Sequence, residues 1–289
     1  MNWLDSLVAG IVQGLTEFLP VSSSGHLVVV QYFYGVPNLN SNFIYTTLLH
    51  GGTLLAVTVA LWKDLCRIVR TAIAGEAEGR LLALSLLVAT IPGALAGVLF
   101  GDKIDKLFIT EGWTLRGFPI EPFKFVGLAF IVTAHEFLHK ADLASAKLAE
   151  SGGTGMAAEG MSLRHALRFG LAQALAVIPG ISRSGATIST GIMAGFSREY
   201  AARFSFLMSI PIILGALVHT LFLSSHSSGF WTDLSYKPAG ELRAMAIGVA
   251  AAAVTGFAAV KFMLRIIQTW TFHRFIVYLW ILGLVCIAS

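Results

Sequence analysis

Pro20-Val21-Ser22-Ser23-Ser24-Gly25-His26 and Pro179-Gly180-Ile181-Ser182-Arg183-Ser184-Gly185 interrupt two apolar runs, residues 5–34 and 163–195. Proline removes a backbone donor and glycine frees the backbone, so each run reads as a helix that stops and restarts. Each half is about 15 residues, and at about 1.5 Å per residue it reaches only roughly the middle of a bilayer.

Six uninterrupted segments flank the two breaks: 43–62, 80–100, 121–139, 200–223, 241–262 and 272–288. Each is close to the roughly 20 apolar residues that a membrane-crossing helix needs. Composition agrees: of 289 residues, 56% are hydrophobic and 12% charged, with a mean hydropathy of +0.76. Soluble domains carry about 25% charge. A disordered chain, a basic nucleic-acid-binding domain and most soluble enzymes are excluded. Two cysteines, Cys66 and Cys286, exclude a disulfide scaffold, and they are expected on opposite sides, unbridged. No cleavable signal is expected, because Asp5 precedes any basic residue and Glu17 and His26 interrupt the first run. The fold class expected is all-α: a polytopic membrane protein of six transmembrane helices plus two re-entrant broken helical hairpins.

The two broken runs overlay without gaps at an offset of 160 residues. Gly10, Gln13, Ser22, Ser24 and Gly25 meet Gly170, Gln173, Ser182, Ser184 and Gly185. The same offset carries 43–62 onto 203–222 and 80–100 onto 240–260. This implies one membrane domain made of two repeats, about 1–145 and 160–289, joined by a linker over about 146–161. The linker's glycine-rich part, residues 151–160, reads as a flexible surface stretch.

Charge then bears on topology. If the breaks are re-entrant, each repeat crosses three times and the second is inverted. Thirteen basic residues, from Lys63 to Arg274, then share one side, against Lys103, Lys106, Arg116, Lys124, Lys237 and Arg243 on the other. If the broken runs cross fully, the same loops sort 10 against 9. Basic residues collect on the cytoplasmic side, so the re-entrant arrangement is preferred, with both termini extracytoplasmic. Inverted repeats with discontinuous helices recur as a way to build a site near the midplane.

Irregular backbone at membrane depth is tolerated only inside protein or beside water. The breaks should therefore line a cavity, and the groups they bring are Gln13, Glu17, Ser22, Ser23, Ser24 and His26 from one and Gln173, Ser182, Arg183, Ser184 and Thr187 from the other. Gln13 and Glu17, four apart, share a helix face. Glu17 could hold a hard cation, Arg183 offers a fork for phosphate, a serine could be a nucleophile, and His26 could move a proton. Helices restarting after the breaks add N-terminal donors for an anion. Together these favour a phosphate-bearing ligand. The bland alternative for each is a helix contact or interruption, since serine and glycine are common where membrane helices touch.

The segments Gln13-Gly-Leu-Thr-Glu17-Phe-Leu-Pro-Val-Ser-Ser-Ser-Gly-His26 and Pro179-Gly-Ile-Ser-Arg-Ser-Gly-Ala-Thr187 resemble the two signatures of the bacitracin-resistance family. The resemblance extends over nearly the whole chain, including Leu49-His-Gly-Gly-Thr-Leu-Leu-Ala56. It implies an integral inner-membrane undecaprenyl-diphosphate phosphatase, which regenerates the lipid carrier of peptidoglycan precursors. It also implies an active site reached from the periplasm, and a divalent cation, Mg²⁺ or Ca²⁺. Carried over, Glu17 is the acidic residue and metal ligand, Ser23 the nucleophile and His26 its proton-transfer partner. Arg183 clamps the diphosphate, with Gln13, Ser22, Ser24, Gln173, Ser182, Ser184 and Thr187 as substrate contacts. Gln13 stands where many members have glutamate, so the cation is expected to be shared between Glu17 and the substrate's phosphates. Expected partners are the lipid diphosphate, bilayer lipids and a second copy of the chain, with no nucleic acid.

Two other readings compete. Broken-helix repeats also build transporters, so the same site could carry a lipid phosphate across. His135-Glu136-Phe137-Leu138-His139 matches the zinc-protease pattern H-E-x-x-H, but no third ligand follows nearby and the motif lies at a helix end. His50 divides evenly between facing the cavity and a contact. Gly93, Gly97 and Gly101, Gly10 and Gly14, and Gly191 and Gly195 read as small-residue packing stripes. Trp113, Trp231, Trp270 and Trp280 read as interfacial anchors.

Overall fold

A residue before proline is pushed into extended backbone by the proline ring. In the computed structural model Leu19, ahead of Pro20, sits at φ −72° and ψ 148°, and the first helix, α1 (Trp3–Phe18), ends there. Asn2 and Asp5 close its other end with a reciprocal capping box. The chain restarts as α2 (Ser23–Tyr34). The second run behaves alike: α8 (Leu163–Leu175) stops before Pro179, Gly180 turns with φ +90°, and α9 (Arg183–Met193) begins under the Ser182 cap. Both breaks fall where the sequence placed them.

The structure describes residues 2–34, 43–105, 113–115, 118–223, 232 and 234–289. Lys106, Arg116 and Trp231 lie outside them. The other helices are α3 (Phe43–Ala60), α4 (Trp62–Ile73), α5 (Ala77–Asp105), α6 (Pro122–Val132), α7 (Lys140–Glu150), α10 (Arg198–Val218), α11 (Ala239–Ile266) and α12 (His273–Ala288). Wider π-helical turns continue α6 over Thr133–His139 and α10 over His219–Leu223. A short antiparallel pair, β1 (Trp113–Leu115) and β2 (Phe118–Ile120), precedes α6. The protein is thus overwhelmingly helical. Among the described residues, three helices are long and apolar enough to cross a membrane: Ala77–Gly101, Arg198–Phe222 and Ala239–Ile266.

Polarity is inverted relative to a soluble protein. Leu87, Leu95, Val98 and Leu99 of α5, Val254 of α11 and Ile281 and Leu284 of α12 face outward. Gln13, Glu17, Gln173, Ser182, Thr187 and Ser205 are buried. Apolar faces meet lipid at no cost, whereas polar groups must find partners inside.

Small residues let the half-length helices sink into the bundle. A Cβ on Gly10 of α1 would fall 2.1 Å from the Gly248 carbonyl oxygen of α11, and one on Gly14 would fall 2.0 Å from Thr255 Oγ1. Likewise α8 lies on α5, where a Cβ on Gly170 would sit 2.7 Å from the Ala89 carbonyl oxygen. Three expectations change here. Gly93 meets Gln173, but among the described residues Gly97 and Gly101 have nothing within 4 Å, so that stripe is one contact long there. Gly195, at φ +94°, ends α9 as a left-handed cap instead of packing a helix. The glycine-rich linker is pinned at Met156, which exchanges backbone bonds with Gly195 and Ser197. Cys66 and Cys286 are free thiols. Trp270 lies ahead of α12 under the Arg274 guanidinium, whereas Trp280 sits in mid-helix, away from any end.

Candidate active site

The two breaks come together around one carboxylate. Glu17, in the last turn of α1, is buried with a side-chain exposure of 7%. Its Oε2 accepts from Gln13 Nε2 at 2.9 Å, the contact that their shared helix face foresaw. The same oxygen accepts from Ser23 Oγ at 2.6 Å. Its Oε1 accepts from Arg183 Nη2 of the other break at 2.7 Å. The other terminal guanidinium nitrogen, Arg183 Nη1, is buried and has no partner among the described residues. Ser23 and Arg183 are each the first residue of a restarted helix, and they are equivalent at the offset of 160.

Each restart is built the same way. Ser22 and Ser24 hydroxyls meet at 3.3 Å, and Ser182 and Ser184 at 3.2 Å. The Gly25 N–H donates to Ser22 Oγ as the Gly185 N–H donates to Ser182 Oγ. Ser184 Oγ then donates to the Leu19 carbonyl, tying one break to the other.

A cavity of about 470 Å³ opens in front of Glu17. Its polar wall holds Glu17, Ser22, Ser23, Ser24, Ser182 and Arg183, together with Thr46, Thr47, His50 and Thr220. Its apolar wall is Leu27, Val177, Ile181 and the α10 face of Ile212, Ile213, Ala216 and Leu217. A second cavity of the same volume, lined by Asp64, Glu76, Glu78, Glu199, Tyr200 and Arg203, contains no residue of either break.

Several expected site residues stand elsewhere. His26 is not on the cavity wall: its Nδ1 meets the Ser22 carbonyl at 2.7 Å and its Nε2 meets the Tyr278 hydroxyl at 2.6 Å. The imidazole on the wall is His50. Its Nδ1 is 2.8 Å from the Thr46 carbonyl, so it carries the hydrogen, and the Nε2 lone pair lies 4.0 Å from Glu17 Oε2. Gln173 is buried against α5, within reach of the Ala89 carbonyl at 3.4 Å. Thr187 bonds the Arg183 carbonyl at 2.8 Å and Ser205 Oγ at 2.6 Å, linking α9 to α10. Gln13 acts from behind, through Glu17. The sequence left His50 evenly divided, and the structure puts it on the wall; Thr46 was findable as its i,i+4 partner on α3, whereas Tyr278 carries no local signal.

A divalent cation at Glu17 fits these residues poorly. Both carboxylate oxygens already accept hydrogen bonds, one of them from a guanidinium that neutralises the charge. Among the described residues, no three His, Cys, Asp or Glu side chains converge to hold a metal. The His135 pattern fails on the same count: the His135 and His139 rings stack at 5.7 Å, and Glu136 pairs with Lys140.

The family model "Bacitracin resistance protein BacA" matches residues 6–285. An undecaprenyl-diphosphatase of Thermomicrobium roseum is 39% identical, over 99% of this chain and 97% of the relative. One of Korarchaeum cryptofilum is 37% identical over 98% of each. One of Desulforudis audaxviator is 38% identical over 99% of this chain and 97% of its own length.

Proposed function

The chain belongs to the bacitracin resistance protein BacA family, and from that premise we propose that its cavity is where undecaprenyl diphosphate loses its terminal phosphate. The protein is an undecaprenyl-diphosphatase, an integral membrane hydrolase that returns the lipid carrier of cell-wall precursors to its monophosphate form. The relatives are hydrolases by name, which favours this activity over flipping. The observation that carries the site assignment is Glu17 held at once by Ser23 and Arg183, one from each break, on one cavity wall.

In this reading the terminal phosphate competes with Glu17 for Arg183 Nη2, and the guanidinium turns to bring its buried, unpartnered Nη1 onto a second phosphate oxygen. A planar fork suits this bidentate contact. The Ser22, Ser24 and Ser182 hydroxyls and the N-termini of α2 and α9 complete an anion site. Ser23 Oγ attacks the phosphorus in line and the bridging P–O bond breaks. Undecaprenyl phosphate departs with the electron pair, leaving the phosphoryl group on Ser23. The Ser23 proton passes toward Glu17 Oε2, which it already faces. Transferring a phosphoryl group requires little proton abstraction, so positioning and charge neutralisation provide most of the effect. Water then attacks the phosphoserine, Ser23 recovers a proton, and inorganic phosphate leaves. His50, on the wall with an open Nε2, is the imidazole placed to take the water's proton. The lipid tail follows the apolar α10 face out of the cavity. Any divalent cation is carried by the substrate's phosphates.

The finer architecture is part of the same proposal: six spans and two re-entrant hairpins, arranged as inverted repeats 1–145 and 160–289 about a linker at 146–161. The matching serine pairs at the two breaks support it, as do the paired packings of α1 on α11 and α8 on α5. The basic-residue sorting supports an inner-membrane placement with both termini outside.

The test is phosphate release from undecaprenyl diphosphate by purified protein in detergent. Ser23→Ala should lose it, and brief incubation of wild type should yield phosphoserine at position 23. Full activity in Ser23→Ala would refute the assignment.

A further inference from the structure

His26 and Tyr278 sit behind the cavity wall. Their rings stack at 5.6 Å with planes 17° apart, and the Phe130 ring, tilted by 56°, lies 5.3 Å from the imidazole. The Ser22 carbonyl can only accept, so His26 Nδ1, 2.7 Å away, carries the hydrogen. The Nε2 atom then holds a lone pair, and the Tyr278 hydroxyl at 2.6 Å donates to it. Both nitrogens of this ring are therefore used, and neither faces the cavity.

What the ring holds is unusual. Ser22 has φ +72°, and among the described residues no other non-glycine residue has a positive φ. A serine in that region is strained. At the matching position of the other break, the cap Ser182 has an ordinary φ of −72°. There, Ala186 stands where His26 would be. Strain and imidazole occur together in one break and are absent together from the other. The residue after Ser22 is Ser23, whose hydroxyl reaches back to Glu17 at 2.6 Å.

We propose that Tyr278 and His26 are a positioning pair: the Tyr278 hydroxyl anchors the imidazole at Nε2, so that its Nδ1–H holds the Ser22 carbonyl and keeps Ser23 aimed at Glu17. This rests on the reading of Ser23 as the nucleophile. It gives His26 a different task from proton transfer, and it gives Tyr278, at the far end of the chain, a part in the reaction.

The experiment compares H26N, H26Q, Y278F and S23A with wild type in detergent. An asparagine amide nitrogen falls about where Nδ1 lies and can hold the Ser22 carbonyl. A glutamine amide falls about where Nε2 lies and cannot. H26N should keep kcat within about threefold of wild type with the same pH profile, while H26Q should lose about tenfold or more at similar KM. Y278F should lower kcat about tenfold, as loss of one buried hydrogen bond does. Nitrogen-15 spectra of His26 should report the Nδ1–H tautomer in both wild type and Y278F, with the Nδ1–H signal broadened in Y278F by a less firmly held ring. Thermal unfolding of each variant separates loss of fold from loss of rate. H26N as inactive as H26Q, with both folded, would overturn the pair in favour of proton transfer. A wild-type rate and an equally sharp Nδ1–H signal in Y278F would overturn the role of Tyr278. S23A at full rate would remove the nucleophile assignment itself, whereas S23A inactive with equal H26N and H26Q removes only the positioning pair.

Discussion

Ser23 and Arg183 hold opposite oxygens of the same carboxylate, Oγ to Glu17 Oε2 at 2.6 Å and Nη2 to Oε1 at 2.7 Å. They begin the two restarted helices, so Glu17 is the point where the halves of the molecule are fastened. The pair Glu17–Arg183 is largely buried, with side-chain exposures of 7% and 17%. Removing one partner of such a pair strands a charge at a cost of about 3–5 kcal/mol. Arg183→Ala should therefore lower the unfolding temperature as well as hydrolysis. Arg183→Lys keeps the charge and the fold but loses the fork. We expect its kcat/KM to fall about 100-fold, measured as phosphate release. A fully active lysine variant would mean that charge alone suffices.

Ser23→Ala removes the nucleophile and one of the bonds on Glu17. Loss of a nucleophile generally costs several orders of magnitude, so we expect a decrease of at least about 10³-fold in kcat. Binding should survive, because Arg183 Nη1 and the other serines remain. Retained affinity for undecaprenyl diphosphate, measured by competition against labelled substrate, separates this from a folding defect. Loss of binding together with catalysis would assign Ser23 to holding the phosphate.

His50→Asn tests the cavity imidazole. An asparagine amide falls about where Nδ1 lies and can still bond the Thr46 carbonyl, but it cannot exchange a proton. General acid–base groups contribute about 10²–10⁴-fold, so kcat should fall at least about 100-fold if His50 moves the water's proton. Dephosphorylation should be the slowed step, so phosphoserine at position 23 should accumulate in quenched samples. An unchanged rate with no accumulation would leave the proton to Glu17 or solvent.

The two breaks and their meeting were legible in the sequence because proline, glycine and repetition at a fixed offset are local signals. The Gln13–Glu17 contact followed from helical spacing alone. The direction of His26 was not legible. It depends on where α2 starts and on the left-handed Ser22 before it, which no residue type announces, and its partner Tyr278 arrives from 252 positions away. Gly97 and Gly101 show the opposite failure: a regular small-residue spacing with no helix against it. Pattern reveals what a face could accept, and only the packing decides what it meets.

Those glycines give a graded test of the fold. A Cβ on Gly10 would meet the Gly248 carbonyl oxygen at 2.1 Å, one on Gly170 would meet that of Ala89 at 2.7 Å, and one on Gly97 would meet nothing within 4 Å. Forcing atoms into packed contacts costs about 1–3 kcal/mol, while helical glycine to alanine in open space gains up to about 1 kcal/mol. Gly10→Ala should be the least stable variant, Gly170→Ala intermediate, and Gly97→Ala as stable as wild type or more so. Thermal unfolding in detergent provides the ranking. Equal stability of all three would contradict the packing of α1 on α11.

A site built to hold a divalent ion presents several oxygen ligands with room for the ion. Glu17 instead accepts from Gln13, Ser23 and Arg183, and a guanidinium already stands where a metal's charge would be needed. Two like charges on one carboxylate repel, strongly so in a medium of low dielectric. The diphosphate, by contrast, brings its own oxygens. Mn²⁺, followed by its electron paramagnetic resonance signal, should therefore show no tight binding to the protein alone. It should bind when inorganic pyrophosphate is added as the substrate's headgroup, and Arg183→Ala should weaken that ternary binding by releasing the pyrophosphate. Tight Mn²⁺ binding without pyrophosphate, abolished by Glu17→Gln, would show that the carboxylate leaves Arg183 to take up a metal.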